Sequence, residues 1–252
     1  MSIPPEIVDH IIGYIDNHRT LRACSLVARG WVGRSRARLF RDVVLFSHRR
    51  WQKLMSAGDA SPAVYTRTLT IAQGNTSQGK WITTDNLYPF LSHLLAFKNV
   101  NNLVLDGWEP SEFSEGGLKK YFGHFGGRLR SLELGGEKIS QDSFLILLGL
   151  LPNLEDLSIK QVLEKNHTTR VPTVSPKFSG RLTIREQHTT FLLPTLCKFP
   201  LRFQVICLQE HLYDYQKLID ACAETLLDFR AMSHDYSKQR LDVHPSCLFN
   251  PS

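Results

Sequence analysis

The chain has 252 residues, 42% of them hydrophobic and 21% charged, with a net charge of +6; this is the composition of a protein with a sizeable core and excludes wholesale disorder. No apolar run approaches the roughly 18 to 20 residues of a membrane span, since the greasiest stretch, 144–151, is interrupted by Gly149 and closed by Pro152. The first residues carry no basic segment followed by an apolar core, and the five cysteines are scattered with no CxxC pair, so an intracellular chain, cytoplasmic or nuclear, with reduced thiols is expected.

Pro4 and Pro5 suit a first helical turn, and Glu6 and Asp9 complement the positive end of its dipole. A helix is therefore predicted from about Pro5 to Ile15. Its apolar residues, Ile7, Val8, Ile11, Ile12, Tyr14 and Ile15, cover an arc of roughly 160°. A second helix is predicted over Leu21–Ala28 and a third through Trp31, Val32, Leu39 and Phe40. Three short helices cannot bury that much apolar surface among themselves, so part of it must pack on the rest of the chain or on another protein. Arg29, Arg34, Arg36, Arg38 and Arg41, followed by His48-Arg49-Arg50, form a basic cluster. It reads either as a solvated helix face or as a contact for nucleic acid. Its arginines interleave with apolar residues of a helix expected to pack, so nucleic acid is the alternative partner and not the expected one.

The pieces Ile3-Pro4-Pro5-Glu6-Ile7-Val8, Leu21-Arg22-Ala23-Cys24-Ser25-Leu26-Val27, Trp31, and Arg34-Ser35-Arg36 running into Leu39-Phe40-Arg41 together resemble an F-box of the kind found in fungal F-box proteins. The resemblance covers about the first 45 residues. It implies a three-helix module that binds the small adaptor of a cullin-RING (SCF-type) ubiquitin ligase. By position it assigns Ile3, Pro4, Pro5, Ile7, Ile11, Leu21, Cys24, Val27 and Trp31 to the adaptor-binding or core set, without separating contact from core.

Beyond this module an apolar pattern at i, i+3, i+5 recurs as Phe40-Val43-Leu45, Val100-Leu103-Leu105, Leu129-Leu132-Leu134, Leu154-Leu157-Ile159 and Leu226-Phe229-Ala231. Partial copies end in Leu69-Ile71 and Leu182-Ile184, and the alternation Leu201, Phe203, Val205, Cys207 reads as another strand. Helical periodicity precedes several copies, as in Phe90, Leu91 and Leu94 before Leu103, Leu118 and Phe122 before Leu132, and Phe144, Leu147 and Leu148 before Leu157. The middle residues lie 23 to 34 positions apart, in or near the leucine-rich-repeat range of about 20 to 29. The family's Asn or Cys position holds Trp108, Glu137, Val162, Gln187 and His234 here, so the resemblance to leucine-rich repeats implies an irregular arc with no Asn ladder.

The expected fold is α/β: an N-terminal three-helix F-box (1–46), an irregular leucine-rich-repeat-like solenoid of parallel strands and outer helices (47–240), and a tail (241–252). Gln73–Lys80 and Glu164–Gly180 read as loops. No nucleophile elbow, phosphate loop or zinc motif occurs, and His188 or His211 near Cys197 or Cys207 lacks ligand spacing, so no enzyme, metal or cofactor is expected.

Strand alternation turns the residues flanking each middle apolar position away from the interior, onto the sheet face expected to be concave. That face is expected to comprise Thr68, Thr70, Asn102, Val104, Ser131, Glu133, Asp156, Ser158, Arg181, Thr183, Gln204, Ile206, Asp228 and Arg230. The candidate substrate-binding residues on it are Asn102, Ser131, Glu133, Asp156, Ser158, Arg181, Thr183, Asp228 and Arg230. With Glu133 and Asp156 central, the substrate protein would present basic groups; the Glu164–Gly180 loop is the rival site. The expected function is a substrate-recruiting subunit of a ubiquitin ligase, leading to ubiquitin-dependent degradation, with the ligase adaptor and a substrate protein as partners and no membrane.

Overall fold

The computed structural model describes residues 3–56, 61–73, 90–107, 115–136, 138–160, 162–164, 176–185, 192–209, 215–232 and 241–243. The chain is mixed α/β and divides into two compact units, 1–100 and 101–252.

The first unit opens with α1 (Pro5–Gly13), α2 (His18–Val27) and α3 (Arg29–Leu39). Each start has a local cause. Pro5 occupies the first turn of α1 with Glu6 beside it, and the Asn17 side chain caps α2 by accepting from Arg19 N at 2.8 Å and Thr20 N at 3.2 Å. Val8, Ile12 and Leu21 form the buried cluster of the module, with Ile15, Trp31 and Leu39 packed against it. Polar bonds tie α3 to the start of the chain: Arg34 donates to Pro5 O and pairs with Asp9 at 2.8 Å, and Arg38 pairs with Asp16 at 3.0 Å.

The unit continues through β1 (Asp42–Leu45), α4 (His48–Met55) and β2 (Thr68–Ala72). β1 and β2 pair in parallel with Val43 opposite Leu69 and Leu45 opposite Ile71. Trp51 of α4 is buried edge-on against His48, Phe90 and His93, with ring centroids 4.8 to 5.5 Å apart. Residue 46, the expected end of the helical module, therefore lies within this unit.

The second unit is built on parallel strands. β3 (Asn102–Asp106), β4 (Ser131–Gly135), β6 (Asp156–Ile159), β8 (Arg181–Ile184), β9 (Val205–Gln209) and β10 (Asp228–Met232) pair in that order. Two short strands, β5 (Lys138–Ser140) and β7 (Val162–Glu164), pair in parallel apart from them. β11 (Leu241–Val243) pairs antiparallel with β10, so the stretch expected as a tail begins with a strand. Helices precede β4 and β6 as the periodicity predicts, Glu115–Phe122 and Gln141–Gly149, and a third, Tyr215–Ala221, precedes β10. Ser140 caps the second of these, accepting from Ser143 N at 3.2 Å.

The register lines the apolar residues into two continuous rows. Leu103, Leu132, Leu157, Leu182, Ile206 and Phe229 are neighbours in one, and Leu105, Leu134, Ile159, Ile184, Leu208 and Ala231 in the other. All but Ala231 are buried. Parallel pairing in equal register places each inward side chain over its counterpart.

The expected strand at Leu201, Phe203, Val205, Cys207 is out of phase by one residue. Leu201 and Phe203 are buried in the approach, but Ile206 and Leu208 take the inward positions of β9. The chain bends at Gln204, where its N–H donates to Gly180 O and its carbonyl accepts from Leu227 and Asp228. Ile206 is thus core, and Cys207 holds the outer position once expected for it.

Candidate functional site

Two surfaces carry the residues singled out from sequence. On the helical module, the wide apolar arc of α1 separates into two stripes. Val8 and Ile12 turn inward, while Ile7, Ile11 and Tyr14 face solvent, with Ile7 51% exposed. α2 divides in the same way: Leu21, at 2%, and Cys24 are buried, whereas Leu26 and Val27, at 86% and 66%, are not. Of the nine residues in the adaptor-binding or core set, Ile3, Pro4, Pro5, Ile7, Ile11 and Val27 are exposed. Leu21 and Cys24 are turned inward, because their i, i+3 spacing lies on the stripe of α2 that meets the other helices. Trp31 is half-buried against the module's core. Leu26 and Tyr14 are exposed apolar residues that the sequence did not single out as contacts; spacing of three from Ile11 places Tyr14 there, and Leu26 lies two residues, about 200°, from the buried Cys24 and so on the far side of α2.

Residues 1–56 hold ten Lys and Arg against four Asp and Glu, which accounts for the whole net charge of +6. The arginine cluster is not all free. Arg34 and Arg38 are engaged within the module, and Arg50 lies 4.1 Å from the Phe46 ring centroid.

The second surface is the outer face of the strands in the second unit. Alternation of exposed or half-buried with buried residues runs along β3, β4, β6 and β8, so Asn102, Ser131, Glu133, Asp156, Ser158, Arg181 and Thr183 all lie on it. Register puts Asn102, Ser131 and Asp156 in one row, and Glu133, Ser158, Thr183, Cys207 and Arg230 in the next. Asp228 stands opposite Val205 at the start of β10.

The acids of this face are engaged locally. Glu133 pairs with Lys160, Asp228 pairs with Arg230 at 2.6 Å, and Asp156 Oδ1 accepts from Arg181 N at 2.6 Å. A Cβ on Gly180 would run into Asp156 Oδ1, so the carboxylate occupies space that the glycine leaves open. The guanidinium groups of Arg181 and Arg185 have no ion-pair partner among the described residues; both are exposed. Between them sits Thr183, and in register with Thr183 the Ser158 Oγ is shielded from water without a hydrogen-bond partner among the described residues. Lys160 and Arg185 were missed from sequence because only residues flanking the middle apolar position were considered; one further step of alternation reaches both.

His188 and His211 lie outside the described residues, as do positions 165–175 of the Glu164–Gly180 loop. Burial raises the Cys197 thiol, opposed by Lys217, and pushes Cys222 up to about 11, against the pull of a hydrogen bond with the Phe203 backbone. Both shifts run opposite to that of an activated thiol. No group of three or more His, Cys, Asp or Glu among the described residues is placed to hold a metal, and no helix among them is long and apolar enough to cross a membrane. In comparisons with known proteins, the chain matches no family model and no curated protein.

Proposed function

We propose that the chain recruits a substrate protein to a cullin-RING ubiquitin ligase, with residues 1–46 acting as an F-box and the strands beyond as an irregular leucine-rich-repeat-like solenoid. The observation that carries the reading is the division of apolar residues on the helical module. Its core of Val8, Ile12 and Leu21 is complete without Ile3, Ile7, Ile11 and Val27, and exposed apolar residues in that number on a small module mark a partner surface. The strands then hold the substrate, and the mechanism is proximity: tethering the substrate to the assembly turns its encounter with the ubiquitin-transferring partner into an effectively intramolecular event.

Co-purification of the full chain with the ligase adaptor tests the reading. Binding by the parent and its loss in Ile7→Asp with Ile11→Asp supports it; no binding by the parent, or undiminished binding by a folded variant, overturns it. The alternative, a nucleic-acid-associated protein, draws on the basic charge of residues 1–56. It is weakened by the engagement of Arg34 and Arg38 within the module. A steep fall in duplex affinity with salt would favour it.

A further inference from the structure

We infer that the outer face of the strands takes an acidic, extended peptide segment, with Arg181 and Arg185 as its principal contacts. This rests on the proposal that the polar sheet face is the substrate-binding surface of the second unit, and it names the class of substrate.

The starting point is which charges on this face are already satisfied. Glu133 is neutralised by Lys160 and Asp228 by Arg230, while one oxygen of Asp156 is occupied by the Arg181 N–H. A basic substrate would have to compete with Lys160 for Glu133 and with Arg230 for Asp228, leaving it only the second oxygen of the half-buried Asp156. An acidic one would not, because among the described residues the exposed charges at the middle of the face that have no ion-pair partner are the two arginines of the β8 segment.

Their placement sets the geometry of the ligand. Arg181, Thr183 and Arg185 alternate with the buried Leu182 and Ile184, so all three project from one face. Four residues of strand separate the guanidinium groups by about 13 Å along the strand. That is also the spacing of same-side residues i and i+4 in an extended peptide lying parallel or antiparallel to β8. Between the arginines, the half-buried Thr183 of the same face offers its hydroxyl to the middle of such a segment. Lys160, which follows β6 beside Arg185, is already paired with Glu133, so the contact at that end is left to Arg185. Arginine suits this role because its planar fork binds a carboxylate with two parallel hydrogen bonds.

The test uses the full chain and a fluorescein-labelled peptide of alternating glutamate and serine, titrated by anisotropy at low and physiological salt. The comparison is between the parent, Arg181→Glu with Arg185→Glu, and Lys119→Glu with Lys120→Glu on the exposed side of the helix Glu115–Phe122. The arginine reversal is expected to weaken peptide binding at least about tenfold, and the lysine control by no more than about twofold. Thermal melts within the parent's range show that the exposed substitutions leave the fold intact.

Failure of the parent to bind the peptide, or equal losses in both variants, overturns the inference. So does tighter binding of an oligothymidine probe that the arginine reversal also abolishes, which would make the face a nucleic-acid site. Adaptor co-purification of the same proteins separates the two levels: an intact adaptor interaction with no peptide binding refutes the acidic-segment inference alone. Lost adaptor binding with retained peptide binding refutes the recruitment reading and leaves the face as described.

Discussion

Replacing Leu132 with alanine probes the central row of the second unit. Leu132 is completely buried, and register fixes Leu103 on one side and Leu157 on the other at strand spacings of about 4.8 Å. The substitution removes three carbons, worth about 2.4 kcal/mol of transfer free energy at about 0.8 kcal/mol each. The neighbouring leucines belong to hydrogen-bonded strands and cannot close on the gap, so a cavity contribution brings the expected loss to about 3 to 5 kcal/mol. For a unit of this size each kcal/mol moves the melting temperature by about 2 to 4 °C, so Leu132→Ala should melt about 6 to 20 °C below the parent. Thr183→Ala, on the opposite face, should change stability by no more than about 0.5 kcal/mol. Calorimetry or urea unfolding monitored by far-UV circular dichroism would resolve both. A Leu132→Ala melt within about 2 °C of the parent would show that these strands do not form a packed row, and the register would be wrong.

Ile7→Asp should lower adaptor affinity by about 2 kcal/mol or more in a pull-down titration while leaving the melt unchanged, because Ile7 is exposed; Trp31→Ala should also lower the melt, because Trp31 packs on the core of the helical module. Gly126→Ala would drive its Cβ into the Leu150 carbonyl, and because that atom is backbone the expected cost is about 1 to 3 kcal/mol by chemical denaturation. Cys222 is raised from 9.0 to about 11 in the folded chain, so the stability it contributes is full below pH 9 and is lost as pH rises through about 11. Cys222→Ala should flatten the stability curve in that window, and an unchanged slope would refute the assignment.

Much of this fold could be read from the order of residues, because each inward row depends on a spacing visible in one dimension. Leu103, Leu132 and Leu157 follow from the i, i+3, i+5 pattern and Leu182 from a partial copy of it, and all four are inward and buried. The pattern failed at β9, where apolar alternation continues unbroken from Leu201 to Cys207 while the backbone bends at Gln204. A change of phase leaves no trace in composition when residues on both sides of it are apolar. The helical module posed a different difficulty. Its apolar arc identifies which residues avoid water, but division into core and surface stripes depends on where α2 and α3 lie. Charge on the sheet face was legible as residue type and not as availability, because the pairing of Glu133 with Lys160 joins residues 27 positions apart.

The equal register of the inward rows also bears on how a chain of this kind changes length. Leu132 and Leu157 hold equivalent places in neighbouring strands, separated by 25 positions. Excision of 133–157 would join Leu132 to Ser158 and Ile159, rebuilding a strand whose inward residues match those of β6 and meet Leu182 and Ile184 of β8 in the same manner. Duplication of that interval would insert another rung of the same kind. Gain or loss of genetic material in whole units therefore repeats or removes one rung of the two inward rows, so the breadth of the outer face can change in discrete steps.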